Sequence, residues 1–199
     1  MKEEKALEFF QKGYNCAQIV LGAFSADAGL ELSVRFSEAH IRPVTPEDLP
    51  GVAEMIRAAF ATVAEEFDIT EQNGPRHTSF ITAEKLQTHF ARGWMMAGLY
   101  EGDRLVGYVS LSEEGGGVFE LHNLAVRPEC RHKGYGKRLL DLCKEKVKEL
   151  GGQKITLSHI EENTVLKNWY GANGFVHTGT RQFDFLPFTS GYMEWYVIK

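Results

Sequence analysis

Between residues 2 and about 30, apolar side chains recur at helical spacing. Leu7, Phe10, Tyr14, Ala17, Leu21 and Phe24 are separated by steps of 3, 4, 3, 4 and 3, which lines them along one stripe of an amphipathic helix. Gly13 interrupts the stripe. Glycine suits the left-handed position just past a helix end, and Asn15 with Gln18 three residues later is an N-cap pair that starts a new helix. One long helix and two short ones meeting at Gly13 both fit. Periodicity then fades over residues 33–39, which read as a linker after a helical extension at 1–32.

From His40 onward the pattern alternates between periods of two and of 3.6, predicting a mixed α/β domain over residues 40–199. His40 to Val44 reads as a strand. Thr45-Pro46-Glu47-Asp48 supplies an N-cap, a proline at the first helical position and early acids. The helix that follows should bury Leu49, Val52, Ile56, Ala59, Phe60 and Val63. Gln72 to Ser79 is turn-rich, and Ala83 to Arg92 is a second helix. Trp94 to Tyr100 and Leu105 to Ser112 form a hairpin through Glu101-Gly102-Asp103-Arg104. Val118 to Val126 is a strand after three glycines, and Gly136 to Leu150 is a helix stopped by Gly151-Gly152. Ile155 to Ile160 is a strand, Thr164 to Ala172 a helix, and Thr178 to Phe185 and Tyr192 to Ile198 are the last strands. Antiparallel hairpins come early and a strand-helix-strand crossover comes late.

Composition narrows the class. The chain has 199 residues, 43% hydrophobic and 25% charged, near the averages for folded globular proteins. That length holds one substantial domain and an appendage. The longest apolar run, Ile19 to Phe24, is far too short to span a bilayer, and Met-Lys-Glu-Glu-Lys does not open a signal peptide; no membrane association and a cytoplasmic location are expected. Cysteines at 16, 130 and 143 form no CxxC pair, so neither a disulfide framework nor a structural metal site is expected. A net charge of −5 argues against nucleic-acid partners.

One segment reverses the sign. Arg127 to Arg138 (RPECRHKGYGKR) carries five Lys or Arg against Glu129, and it spans the junction from the strand ending at Val126 to the helix opening near Gly136. Helix starts leave backbone N–H groups without intrahelical partners and bear partial positive charge, so glycines that admit a ligand there make a phosphate cradle. The letters exclude two such cradles. A P-loop needs glycine where Arg131 stands, and a dinucleotide fingerprint needs one where Leu139 stands.

What remains is Arg-x-x-Gly-x-Gly. LAVRPECRHKGYGKRLL resembles the acetyl-coenzyme A loop of the GCN5-related N-acetyltransferases, the GNAT superfamily. Asn163, Trp169-Tyr170 and Gly174-Phe175, about thirty residues downstream, resemble that family's Asn, aromatic-Tyr and Gly-Phe signature. The order of elements from His40 to Lys199 matches as well.

The resemblance implies a mixed, mostly antiparallel central sheet with a splayed strand pair, flanked by helices. It implies an enzyme moving an acetyl group from acetyl-coenzyme A to an amine of a small molecule, peptide or protein by direct attack. The pantetheine arm would pair with the strand edge at Leu124, Ala125 and Val126, and the pyrophosphate would sit on backbone N–H groups from Arg131 through His132, Lys133, Gly134, Tyr135 and Gly136 to Lys137. Arg131 and Lys133 would add charge. Asn163 would contact the pantetheine or its carrier helix, and Tyr170 would act as general acid toward the departing sulfur. Strand alternation places Glu120, His122, Leu124 and Val126 on one face, and the resemblance makes Glu120 the base with His122 as partner or substitute. A catalytically weak acetyl-coenzyme A sensor is the alternative of a different class, and a homodimer is compatible.

The acceptor side is open. Glu65, Glu66, Asp68 and Glu71 either draw in a cationic amine or form a solvated helix end. Phe183, Phe185, Phe188 and Tyr192 either wall an acceptor pocket or fill the core. At the other end of the chain, ALEFFQKGYNCAQIVLGAF resembles the opening helices of a small redox family named for its pattern C-GCAxxG-C-C. The later cysteines of that pattern are missing, so Cys16 is expected to pack and not to react.

Overall fold

A computed structural model describes residues 39–198. The readings placed on the apolar stripe, Gly13, Cys16 and nearly all of the linker lie outside the described residues.

The domain is built on one seven-stranded sheet in the order β1-β2-β3-β4-β5-β7-β6. Its strands are β1 (His40–Pro43), β2 (Met95–Glu101), β3 (Arg104–Gly115), β4 (Val118–Val126), β5 (Lys154–Ile160), β6 (Val176–Gln182) and β7 (Thr189–Tyr196). All neighbouring pairs are antiparallel except β4 and β5. Helices α1 (Leu49–Glu66) and α2 (Ala83–Ala91) follow β1, α3 (Tyr135–Glu149) makes the crossover from β4 to β5, and α4 (Thr164–Ala172) follows β5.

The start of α1 differs from the expected single helix because of Pro50. Proline has no N–H to give the Pro46 carbonyl, so Pro46–Asp48 closes as a tight 3-10 turn, with the Leu49 N–H bonded to Pro46. Asp48 reaches back to the Thr45 N–H at 2.8 Å and accepts a two-pronged contact from Arg42 at 2.7 and 2.9 Å. These bonds pin β1 to α1. Helix α2 is capped by Thr82, which accepts from the Lys85 N–H at 3.2 Å.

Two cores lie on opposite faces of the sheet. Leu49, Val52, Met55 and Ile56 of α1 and Leu86 of α2 pack with Met96, Tyr108 and Ala125 on one face. Leu139, Leu140, Cys143 and Val147 of α3 and Tyr170 of α4 pack with Leu99, Val109, Leu111, Phe119 and Leu121 on the other. Within the expected α1 face, Phe60 and Val63 are only half-buried, while Met55 is fully buried. Gly107 sets the approach of α3: a β-carbon there would meet Leu139 Cδ1 at 3.0 Å.

The last two strands begin and end earlier in the chain than expected, β6 stopping at Gln182 and β7 starting at Thr189. Gln182 pairs with Thr189, so Phe183–Phe188 is the connection. Strand β6 is an edge with an almost wholly exposed surface. Its position comes from pairing with β7, which leaves no hydrophobic alternation to read.

Candidate active site

Strand β4 is paired with β3 along its length, but with β5 only from Val118 to Glu120 against Lys154 to Thr156. Beyond Thr156, β5 pairs with β7 alone. The two parallel strands therefore part, and the β4 edge from Leu121 to Val126 has no strand partner on the β5 side among the described residues. Leu124, Ala125 and Val126 lie on that open edge.

A bulge corrects the expected alternation on this strand. Tyr108 pairs with Ala125 and Ser110 with His122, two residues on β3 against three on β4. Asn123 absorbs the extra step with φ of +53°, a left-handed conformation that asparagine tolerates better than most residues. The pleat is reset there. Glu120 and His122 share a face with Ser112 and Ser110, whereas Leu124 and Val126 pack into the opposite core against α3. The Asn123 side chain accepts from Thr78 Oγ1 at 3.3 Å, tying the α1–α2 connection to the bulge.

Glu120 and His122 sit in a polar group that the sequence reading only half identified. His122 Nε2 lies 2.9 Å from Ser112 Oγ, and Ser112 donates its proton to Glu114. Satisfying both bonds requires the proton on Nε2, which leaves Nδ1 with a free lone pair. That Nδ1 is 3.8 Å from Glu120 Oε1. Burial lowers the imidazole pKa to about 4, with nearby His89 adding to the effect. Burial, then the Glu114 carboxylate, raises that of Glu120. An imidazole lowered to about 4 is uncharged at neutral pH, so the two groups are not an ion pair there. Donor atoms of Glu114, Glu120 and His122 lie within 4.8 Å of one another, a spacing a cation can bridge. Ser112 already occupies one histidine nitrogen and one Glu114 oxygen.

The His122 ring is also clamped from one side. Trp94 stacks on it at 4.3 Å, and His89 stacks on Trp94 at 3.8 Å. Ser112, Glu114, Trp94 and His89 were not singled out from sequence. Polar residues at alternate positions 110, 112 and 114 of this strand were the available signal.

At the end of β4 the chain turns through Pro128–Cys130 into α3. His132 and Gly134 take left-handed φ values of +63° and +80°, and Gly134 occupies the N-cap position. The first backbone bond of α3 runs from the Arg138 N–H to Gly134. The N–H groups from His132 through Lys133, Gly134, Tyr135 and Gly136 to Lys137 have no hydrogen-bond partner among the described residues. A row of unpaired donors at a helix start attracts anions.

The basic side chains around this row are engaged by the protein. Arg131 Nη2 donates to Ala59 O at 2.7 Å and Thr62 Oγ1 at 3.0 Å, stapling the loop to α1. Lys133 and Tyr135 both reach Glu101, at 3.0 and 2.6 Å. Lys137 pairs with Asp141, while Arg127 and Arg138 donate to the carbonyls of Leu105 and Ala39. Arg127, Arg131 and Arg138 contact carbonyl and hydroxyl groups and pair with no carboxylate among the described residues. Lys133 is neutralised by its carboxylate.

Across the opening between β4 and β5 stands α4. Asn163 is its N-cap, accepting the Leu166 N–H at 3.0 Å, and so positions the helix. Tyr170 is buried among Trp169, Phe175 and the Cys143 side of α3. Burial, and secondarily Cys143, raises its phenol pKa well above the ordinary value. Gly136 faces the same opening: a β-carbon there would lie 3.5 Å from the Trp169 ring and 4.0 Å from Val126.

A cleft of about 760 Å³ opens beside His122 and Asn123, walled by the segment from Pro75 to Thr82 and by Lys85, His89 and Trp94. Glu65, Glu66, Asp68 and Glu71 are exposed and do not line it, in keeping with the solvated helix end that was one of their two readings. Among the four aromatics read as either an acceptor wall or core filling, Phe188 packs edge-on to His77 at 6.3 Å. Phe183 and Phe185 contact each other, with Phe185 exposed, and Tyr192 lines a separate depression on the β5–β7–β6 surface.

Residues 58–175 match the model of the acetyltransferase (GNAT) family. No curated protein matches the sequence. Among solved structures, the PaiA N-acetyltransferase from Thermoplasma acidophilum in complex with coenzyme A is 25% identical, with 80% of this chain and 99% of that one aligned at a TM-score of 0.67. The ribosomal-protein-S18-alanine N-acetyltransferase from Escherichia coli is 15% identical over 79% and 93% of the two chains, at a TM-score of 0.64. YncA from Salmonella typhimurium with its cofactor acetyl-coenzyme A is 16% identical over 79% and 93%, at 0.61. The latter two share the fold. The parted strands, the donor row and the family match lead to one conclusion: the chain belongs to the acetyltransferase (GNAT) family and is an N-acetyltransferase.

Proposed function

We propose that the enzyme transfers the acetyl group of acetyl-coenzyme A to a primary amine by direct attack. Acetyl-coenzyme A supplies an activated thioester whose carbonyl accepts the amine nitrogen as the carbon–sulfur bond breaks. The observation that carries this reading is the row of unpaired N–H groups from His132 to Lys137 at the end of an open strand edge. The row holds the pyrophosphate, and the backbone of Leu124, Ala125 and Val126 pairs with the pantetheine arm.

The remaining roles follow from placement. Glu120 takes the proton of the incoming ammonium. Its raised pKa brings it closer to that of an amine than an ordinary carboxylate comes. His122, fixed as the Nε2–H tautomer by Ser112, keeps Nδ1 open toward Glu120 and orients the relay. Tyr170 donates a hydrogen bond to the departing sulfur. Its phenol holds its proton more tightly than an ordinary tyrosine, so complete transfer to a thiolate, whose parent thiol has a pKa of about 8.5, is uphill. Asn163 acts by capping the helix that carries Tyr170.

The test is release of free thiol from acetyl-coenzyme A across a panel of amines and peptide N-termini, with the acetylated product identified by mass. Amine-dependent release with an acetyl mass added supports the reading. Binding of acetyl-coenzyme A with no amine-dependent turnover would replace it with that of a sensor.

A further inference from the structure

Resting on that reading, we propose that the cleft beside His122 is an anion-recognising subsite, and that the acceptor is an amine that also carries a carboxylate or phosphate. Arg76 and Lys85 both line the cleft, and no aspartate or glutamate does. Neither cation makes an ion pair or side-chain hydrogen bond among the described residues, whereas Arg42, Arg104, Lys133, Lys137, Lys146, Lys154 and Lys167 each pair with a carboxylate. The three histidines of the lining have lowered pKa values, each chiefly through burial. At neutral pH they are uncharged, and the lining carries two uncompensated positive charges.

A second observation lies deeper in the cleft. His89 is 6% exposed, and its Nδ1 is sealed from solvent without a hydrogen-bond partner. A buried polar atom in that state is destabilising, and His89 is one of the residues that line the cleft. The wall that carries Arg76 is tied down beside it: the His77 N–H bonds to Gly74 O at 2.9 Å, Thr78 bonds to Asn123, and Arg57 donates to Ile81 O at 2.9 Å. The cations are thus held on a formed surface. Glu120, on the His122 side, supplies the opposite charge. The pair of poles suits a ligand with an ammonium at one end and an anion at the other, its anion facing the guanidinium of Arg76.

Matched acceptors decide the point by calorimetry on the full-length protein saturated with coenzyme A. One arm titrates α- and ω-amino acids against their carboxamides, and the other phosphoethanolamine against ethanolamine. At least one anionic member should bind about tenfold or more tighter than its neutral partner. The arm in which this occurs identifies the anion. Arg76→Gln with Lys85→Gln should erase the preference while coenzyme A affinity stays unchanged. Equal or weaker binding of every anionic member, or a preference that survives the double substitution, would overturn the subsite. Loss of coenzyme A binding by the wild-type protein would instead speak against the proposed function, and the same titrations without it would still decide the preference.

Discussion

His122 Nδ1 stands 3.8 Å from Glu120 Oε1, too far for a direct hydrogen bond and close enough for one water to link them. In the proposed mechanism a proton leaving the amine has two acceptors on one face of β4, and the upward shift of Glu120 makes it the stronger of the two. Glu120→Gln should lower kcat by about a hundredfold or more, and His122→Gln by less. The proposed role requires Glu120 as the carboxylate, so kcat should fall as pH drops through a value above 4.5, the ordinary carboxyl value from which burial raises it. That acid limb should be lost in Glu120→Gln. Profiles of kcat against pH at saturating acceptor check both statements.

In the proposed mechanism Tyr170 meets the departing sulfur only as the bond breaks. Tyr170→Phe keeps the ring contacts with Trp169 and Phe175 and removes the donor. It should reduce kcat by about tenfold to a hundredfold and leave the affinity for coenzyme A unchanged, as expected for an interaction made in the transition state. Steady-state rates beside calorimetric binding separate the two effects.

Two stacked imidazoles make the domain acid-sensitive. Burial lowers His89 and His122 each to about 4 from 6.5. Because the folded values are depressed, their contribution to stability is present above about 6.5 and is lost as pH falls toward 4. At pH 5 the loss is about 2 kcal/mol for each group taken alone. His89→Phe preserves the stack on Trp94 and should reduce the drop in Tm between pH 7.5 and pH 5. Thermal unfolding at the two pH values reads it, and an unchanged drop would show that these rings do not set it.

Cys16 belongs to the opening stretch that resembles a thiol family without that family's companion cysteines. Cys16→Ser should leave acetyl transfer near the wild-type rate, while removal of residues 1–32 should change solubility or assembly more than turnover. Sizing chromatography and rates on both variants check this.

The elements of the domain were legible because their signals are local. Thr45 and Pro46, Thr82, and Gly151-Gly152 mark helix ends by side-chain and backbone chemistry, and β4 and α4 occupy the residues that periodicity gives them. What escaped is set by long-range pairing. The bulge at Asn123 exists because Ala125 aligns with Tyr108 while His122 aligns with Ser110, and no pattern within β4 announces it. The engagement of Arg131 with Ala59 spans 72 residues, so the basic segment read as charge facing a ligand when much of it fastens the loop. The cations of the cleft were hidden in the same way. Arg76 and Lys85 lie on different elements and meet only in the fold.

The central claim is that acetyl-coenzyme A is held by the donor row at the head of α3. Gly136 tests it without backbone strain, since its φ is not positive and a β-carbon there makes only ordinary contacts with Trp169 and Val126. Gly136→Glu places a carboxylate at the N–H row proposed to hold the pyrophosphate. Calorimetric titration of acetyl-coenzyme A should show saturable binding to the wild-type protein and at least a hundredfold weaker binding to a Gly136→Glu protein of unchanged circular dichroism. Equal affinity in the two folded proteins would contradict the account.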